Sequence, residues 1–500
     1  MKKHLILATA LVALCIGSAS AQYSETNNLF YFAQRTPQSN QLNPAFFPSS
    51  NSFYLQLPSV GTQLGMPLSI NDLVYYDPEQ DINIIDINRT LDYLKENNQF
   101  RFGIDLNLLG FGFRIHNLFV DFNTQFHYNL NLGIPLSMFN TLLNGNVNPD
   151  GSAITSDTLL NGSLLNMQAY LETSIGAGFT LPIIPLTIGV HAKLLSGIMN
   201  IQTDNTLITF ETDEEFNDVT ARIYYELMGA SAIKIEEADN MQQMISNMTD
   251  NLTNISDIAK SMFDLSGNTG LAFDIGAKYE LGPFTFSASI NDLTAGIHWQ
   301  KNLVGFAPKG GSVPIEFSGL DLEYLLENGN FNLDTLGKYF NEQLEKMSPQ
   351  SISDEGNDYW YSIPTKLNLA ATANFGIVKA GILFHGQFDR GLLSKQNARE
   401  LDLSNNITNT FRFNTTVSAG INLFNWAELI LATSIVSDGK NISPLNPGVG
   451  FFFTPATVLQ TYFMLDYASS IYLTNMKAFN IKAGVNVLIG RGGKRKILGF

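Results

Sequence analysis

Residues 100–131 read FRFGIDLNLLGFGFRIHNLFVDFNTQFHYNLN. Taken two at a time, Phe100, Phe102, Ile104, Leu106 and Leu108 alternate with Arg101, Gly103, Asp105 and Asn107. After a shift at Leu109–Gly110 the pattern resumes with Phe111, Phe113 and Ile115, and His116–Asn117 makes a minimal turn. Leu118, Val120, Phe122, Phe126, Tyr128 and Leu130 then alternate with Asp121, Asn123, Gln125, His127 and Asn129. Successive side chains on a strand point to opposite faces, so the stretch predicts an antiparallel hairpin with one apolar and one polar face. Its strands exceed the usual globular length of about 5–6 residues. Long aromatic-rich alternating strands joined by a tight turn are the repeating unit of a transmembrane barrel. A large soluble β-sandwich or propeller also alternates, so the hairpin alone leaves that alternative open.

The rest of the chain separates the two. Lys2 and Lys3 precede an apolar run from Leu5 to Ile16, followed by Ala19-Ser20-Ala21, the pattern of a secretory signal. Cleavage is expected before Gln22, giving a signal peptide of residues 1–21. Leu14 precedes Cys15 where a lipoprotein signal wants a small residue, so no lipid anchor is expected. The processed chain would hold no cysteine, which removes disulfide and thiolate chemistry. The formal charge is −16, which excludes nucleic acid as a partner. Charged residues make up only 15% of the chain, below the roughly 25% of soluble proteins, and this fits a lipid-facing belt. After residue 21 no segment approaches the roughly 18 apolar residues of a spanning helix. Only helices and closed barrels satisfy their backbones in lipid.

Along the chain, residues 22–50 contain Pro37, Pro44 and Pro48 among amide residues and read as a non-barrel segment on the periplasmic side. A first strand is expected at 51–58. The hairpin above supplies the second and third, and others are expected near 165–179, 186–194, 270–280, 284–299, 359–374, 378–389, 410–421, 426–437, 446–454, 457–467 and 477–490. Loops are expected at 59–98, with a helical turn at 88–95, and at 132–163, 201–269 and 300–358. Within 201–269, Ala221–Met228 is β-prone and extends neighbouring strands, whereas Met241, Met244, Ile245, Met248, Leu252, Ile255 and Met262 follow the spacing of an amphipathic helix. Leu333, Leu336, Phe340, Leu344 and Met347 make a second such stripe. Short and long connections alternate strictly. That sorting, with an even count of about 14 strands, belongs to an outer-membrane barrel with both termini in the periplasm, residues 491–500 being a periplasmic tail. A sandwich or propeller has no reason to sort its loops so. The expected fold is therefore all-β, a transmembrane antiparallel barrel over 51–490 with an N-terminal plug and helical external loops, in contact with outer-membrane lipid.

Four stretches carry a resemblance: Gln38-Ser39-Asn40-Gln41-Leu42-Asn43-Pro44-Ala45, the run Asn268–Gly276, Phe317-Ser318-Gly319-Leu320-Asp321-Leu322, and Ala478–Asn486. In order and spacing the chain resembles an outer-membrane family of Bacteroidota without assigned function. That family is similar to FadL-type fatty-acid transporters and to PorV-type barrels of type IX secretion. The resemblance implies a 14-stranded barrel in which Asn43, Pro44 and Ala45 belong to an internal hatch. Two function classes stay open: binding or passage of small hydrophobic molecules, and a scaffold or shuttle for secreted or surface proteins.

The polar strand faces place Arg101, Asp105, Arg114, Asp121, His127, Glu172, His191, Lys193, Asp274, Lys278, Lys366, Lys379 and His385 toward the lumen. They either set selectivity or form ion-pair networks that close the lumen. The histidines lack metal-ligand spacing, and Glu211, Asp213, Glu214, Glu215 and Asp218 lack the calcium-loop pattern, so no metal and no cofactor is expected. No catalytic set can be named, and no enzyme is expected. The Met-rich stripe from Met241 to Met262 is the candidate hydrophobic binding surface, against the plainer reading of a lid packed on neighbouring loops.

Overall fold

The computed structural model describes residues 28–47, 52–77, 81–85, 87–94, 97–137, 156–162, 165–212, 219–232, 267–308, 313–317, 349–352, 358–388, 411–423, 426–437, 442–455 and 458–490, with short pieces at 243, 246–247, 326–327 and 330–331. Among these residues fourteen strands form one ring. β1 is Phe53–Gln56 continued by Ser59–Gly65, β2 Asn97–Ile115, β3 Leu118–Pro135, β4 Leu165–Thr180 and β5 Leu186–Thr212. β6 is Thr269–Leu281, β7 Phe284–Leu293 continued by Gly296–Trp299, and β8 Tyr359–Ser362 continued by Thr365–Phe375. β9 is Val378–Phe388, β10 Phe411–Leu423, β11 Ala427–Ser437, β12 Ile442–Phe453, β13 Leu459–Ala468 and β14 Ala478–Ile489. Each strand is antiparallel to the next. β1 also pairs with β14, Phe53 opposite Ile489 and Val60 opposite Ala483, so the sheet closes and keeps no edge along the ring.

The period of two fixes which face each residue takes. On β6, Leu271, Phe273 and Ile275 are 59%, 46% and 50% exposed, while Ala272 and Asp274 between them are 0% exposed. Ile175, Ile188, Phe286, Ile382, Val417, Leu431, Phe451 and Phe463 continue this exposed apolar belt on other strands. The expected fourteen-stranded closed barrel holds; the alternation of tight turns with longer connections holds except after β11, where β12 starts at Ile442, earlier than expected, and leaves a connection of residues 438–441 alone. Gly282 (φ 59°) and Gly376 (φ 84°) occupy two of the tight turns in the left-handed region that glycine enters without strain.

Several strands run further than the expected loops allowed. Residues 59–65 continue β1 past Leu57–Pro58, because Val60, Thr62 and Leu64 carry the alternation on after the proline. The remainder of the 59–98 connection holds α2 (Ile70–Leu73), capped by Ser69 and Asp72, a hairpin of Val74–Asp77 with Ile82–Ile85, and α3 (Ile87–Tyr93) at the expected helical turn. In the 132–163 connection β3 runs to Pro135, and Ser156–Gly162 is a strand paired with the far end of β5. In 201–269 β5 runs to Thr212 and Val219–Ser231 returns against it, as the β-prone run Ala221–Met228 predicted. In 300–358 the strands Leu303–Pro308 and Val313–Phe317 add to Val219–Ser231, and Pro349–Ile352 adds to Leu303–Pro308. The sheet thus overruns the ring at its long-connection end. Beyond the exposed apolar belt the strict alternation stops, so these strands lack the signal that marks the others. Both stripes read as helical, Met241–Met262 and Leu333–Met347, lie outside the described residues apart from Gln243, Ser246 and Asn247.

The ring is filled. Residues 28–47, with α1 (Asn28–Phe32) and a 3-10 helix at Pro37–Gln41, are mostly buried and bond to strands around the circumference. The Asn28 amide nitrogen donates to Asn414 and Thr416 of β10, and its backbone N–H donates to Asp466 of β13. Gln38 exchanges hydrogen bonds with Asn486 of β14, and Ser289 of β7 donates to the Leu42 carbonyl at 2.6 Å. On one side Leu29, Phe30, Tyr31, Ala33 and Phe46 pack against Leu383, Ile430, Phe452, Tyr462 and Met464 of β9 and β11–β13. The opposite wall is polar.

Candidate functional site in the barrel lumen

A row of small residues crosses the polar wall. Gly178 of β4 pairs with Gly189 of β5, which pairs with Gly276 of β6, and Ser289 of β7 follows. A Cβ on Gly189 would meet the Pro44 carbonyl oxygen at 2.1 Å, and one on Gly276 would meet the Asn43 amide oxygen at 2.1 Å. Asn43 and Pro44 therefore lie directly against the bare backbone of the wall. The Asn43 amide nitrogen donates to Ala277 O and Ala288 O and to the Tyr31 hydroxyl, and Ala45 N–H donates to the Asn43 side chain. Burial pushes the Tyr31 hydroxyl above its ordinary pKa, which keeps it a neutral partner.

Two residues along the strands from this row lies an ionic cluster. His191 Nδ1 is 3.1 Å from Asp274, and its Nε2 is 3.3 Å from Asp121 and 3.0 Å from Asn40 Oδ1. Lys193 reaches Asp274 at 3.0 Å, Asp292 at 2.7 Å and Glu172 at 3.3 Å, and Lys366 reaches Asp292 at 3.1 Å. Asp274 also accepts from the Asp292 backbone N–H at 2.8 Å. Here β7 breaks between Leu293 and Gly296, with Asp292 in the left-handed region (φ 61°). Short polar residues tolerate that conformation, and Asp274 satisfies the N–H the break exposes.

Of the sequence candidates, the structure brings together Asp121, Glu172, His191, Lys193, Asp274 and Lys366. Asp105 and His127 pair at 2.8 Å nearby, with Lys482 at 2.9 Å on Asp105. Lys278 pairs with Glu280 toward the tight-turn end, and Arg101 bonds to Gln99 away from the cluster. Sequence reading missed Asp292 because alternation fails at the break. It missed Asn40 because nothing in the sequence says which wall residue the segment meets.

Two cavities flank the internal segment. One, about 160 Å³, lies toward the tight turns, between Phe32, Phe46, Phe47 and Ile430 on its apolar side and Arg35, Lys278 and Lys379 on its polar side. The other, about 90 Å³, lies against the ionic cluster and is lined by amides, His127, His385, Tyr170, Phe30 and Leu42.

A family model described as a family of unknown function, DUF5723, matches residues 44–466. No curated protein matches the sequence. Among solved structures, the chain is similar to the toluene transporter TbuX of Ralstonia pickettii, at 9% identity over 90% of this chain and 93% of that one, with a TM-score of 0.44. It is similar to the toluene transporter TodX of P. putida at 10% identity over 95% and 96%, TM-score 0.42. It is also similar to the translocator domain of the autotransporter NalP from Neisseria meningitidis at 5% identity over 92% and 99%, TM-score 0.30.

Proposed function

The chain belongs to this family of unknown function, DUF5723, and we propose that it is an outer-membrane barrel that holds and passes small molecules with a large apolar part. The tight turns would face the periplasm and the long connections the outside. The exposed apolar belt supports the membrane location, since water penalises each such side chain by roughly 1.5–3 kcal/mol.

One observation carries the reading of passage. Residues 28–47 lie inside the ring, bonded to its wall, with a cavity on each side. A solute crossing the ring meets this segment, which suits a bound, selected solute. The cavity toward the tight turns offers an apolar surface of Phe32, Phe46, Phe47 and Ile430 for the body of such a molecule. Asn43, Pro44 and Ala45 then act as the seat of the plug, and the Met241–Met262 stripe as the first external surface a hydrophobic molecule meets.

The test compares the full chain with a variant lacking 28–47 in planar bilayers and in binding of a fluorescent fatty-acid probe. Low conductance of the full chain, high conductance of the deletion and probe binding by the full chain are expected. Equal conductance in a folded deletion variant overturns the plug. Failure of the full chain to bind the probe overturns the apolar solute, and stoichiometric recovery of a protein partner from native membranes would favour the scaffold class instead.

A further inference from the structure

We propose that the lobe built from the β13–β14 connection and α2 is a membrane-interface anchor. Its backbone stands at the headgroup level of the outer leaflet, and Ile471, Tyr472 and Leu473 reach down to the acyl chains. The inference rests on the outer-membrane reading above and adds a lipid contact beyond the strands of the ring.

The first argument is exposure. Ile471, Tyr472 and Leu473 follow one another in the connection of residues 469–477 and are 73%, 64% and 78% exposed. Phe463, in the apolar belt of the preceding strand β13, is 52% exposed. The three are thus barer than the belt itself. Ile70 and Leu73 of α2 are exposed beside them, and the Asn71 amide nitrogen of α2 donates to Asn475 Oδ1 across the lobe. Water penalises large bare apolar side chains, and a contiguous patch of them marks a contact surface.

The second argument is the side of the rim on which the lobe stands. Met66 N–H donates to the Lys477 carbonyl, so the ladder between β1 and β14 still runs at this level. Side chains alternate along it, which puts Lys477 on the face of Phe479, Ile481, Ala483, Val485 and Val487, the outward apolar row of β14. Lys477 meets Asp72 of α2 at 2.8 Å and lies 5.5 Å over the ring of Tyr93 of α3. The lobe therefore leans on the outer side of the rim, above a row of lipid-facing side chains, and not across the mouth. Its apolar surface continues the belt.

The third argument selects lipid over a protein partner. Within the connection, Tyr472 N–H donates to Ser470 Oγ, Asn475 N–H to Tyr472 O, Met476 N–H to Leu473 O and Lys477 N–H to Ser469 Oγ. Backbone groups met inside the loop lower the cost of leaving water. Of the seven connections at this end, 469–477 alone holds no acidic residue, and its one cation, Lys477, is bound to Asp72. A protein surface brings hydrogen bonds and counter-charges, whereas acyl chains bring neither, and this loop asks for neither. Tyr472 adds an amphipathic ring of the kind that girdles a barrel at the membrane–water boundary.

The chain from residue 22 onward holds no cysteine, so Leu473→Cys carries a single nitroxide label, at a side chain too exposed for its loss to disturb packing. The labelled protein is reconstituted into phosphatidylcholine vesicles, and electron paramagnetic resonance compares collisions of the label with oxygen, which concentrates in lipid, and with a nickel chelate, which stays in water. Leu431→Cys, in the apolar belt, and Asp92→Cys, exposed on α3, are the lipid and water references. The label at 473 should favour oxygen over the chelate, as at 431 and opposite to 92. A label at 473 as open to the chelate as at 92 overturns the anchor and leaves the membrane barrel standing. A label at 473 shielded from both reagents also overturns it, in favour of a covering protein surface or a second copy of the chain. Chelate access at 431 would overturn the membrane barrel itself, and the anchor with it.

Discussion

His191 of β5 and Asn40 of the internal segment are joined at 3.0 Å, imidazole Nε2 to amide Oδ1. The Asn40 amide nitrogen donates to Phe46 O at 2.8 Å and to Pro44 O at 3.4 Å, so its oxygen is the face turned to the wall. The Asp274 carboxylate holds Nδ1 from behind. One side chain thus fastens the segment to the wall and sits between Asp121 and Asp274. Replacing His191 with Leu removes both roles. It leaves two buried carboxylates short of a partner, and breaking a buried pair costs about 3–5 kcal/mol. The folded band in a heat-modifiability gel should be lost at a lower temperature, and single-channel conductance should rise. An unchanged transition would mean that His191 carries neither role.

Gly189 sets the depth at which Pro44 lies. Gly189→Leu places a Cβ 2.1 Å from a backbone carbonyl, which cannot yield as a side-chain end would. The outward neighbours Ile188 and Val190 are untouched, so the ring should assemble while residues 43–45 are displaced. A protease added to folded protein should cut the 28–47 segment faster than in wild type. Gly420→Ala is the control: its Cβ would be 3.4 Å from its nearest neighbour, an ordinary contact, and cleavage should not change.

Asn268 ties three strands together where β5 changes partner from β6 to Val219–Ser231. Its amide donates to Ser231 O and Lys301 O, and its oxygen accepts from the N–H groups of Gln300 and Lys301. Asn268→Ala removes these four hydrogen bonds, each contributing about 0.5–1.5 kcal/mol. The expected result is faster hydrogen exchange at Gln300 and Lys301, whose N–H groups lose the Asn268 acceptor, with the amides of β9–β14 unaffected. Uniform exchange across the chain would refute a local junction.

The Met-rich stripe gives a fourth prediction. Met248→Asp together with Leu252→Asp should weaken binding of a fluorescent fatty-acid probe and leave heat-modifiable mobility as in wild type. Undiminished binding would reduce the stripe to a lid.

The sequence by itself determined the fourteen strands of the ring, their inward and outward faces and the tight turns that join them in pairs. All of these follow from a period of two and from turn residues, which are properties of neighbours along the chain. It also placed Asp121, Glu172, His191, Lys193, Asp274 and Lys366 on the inner face one strand at a time. Only the tertiary structure decided that these six form one cluster, because their meeting depends on cross-strand register: Asp274 stands opposite His191 across 83 residues of chain. Register also lines up Gly178, Gly189 and Gly276 into the bare row against which Asn43 and Pro44 lie. The break at Asp292 and the path of residues 28–47 were hidden for the same reason. Neither has a local period, and both are fixed by hydrogen bonds to groups far away in the sequence.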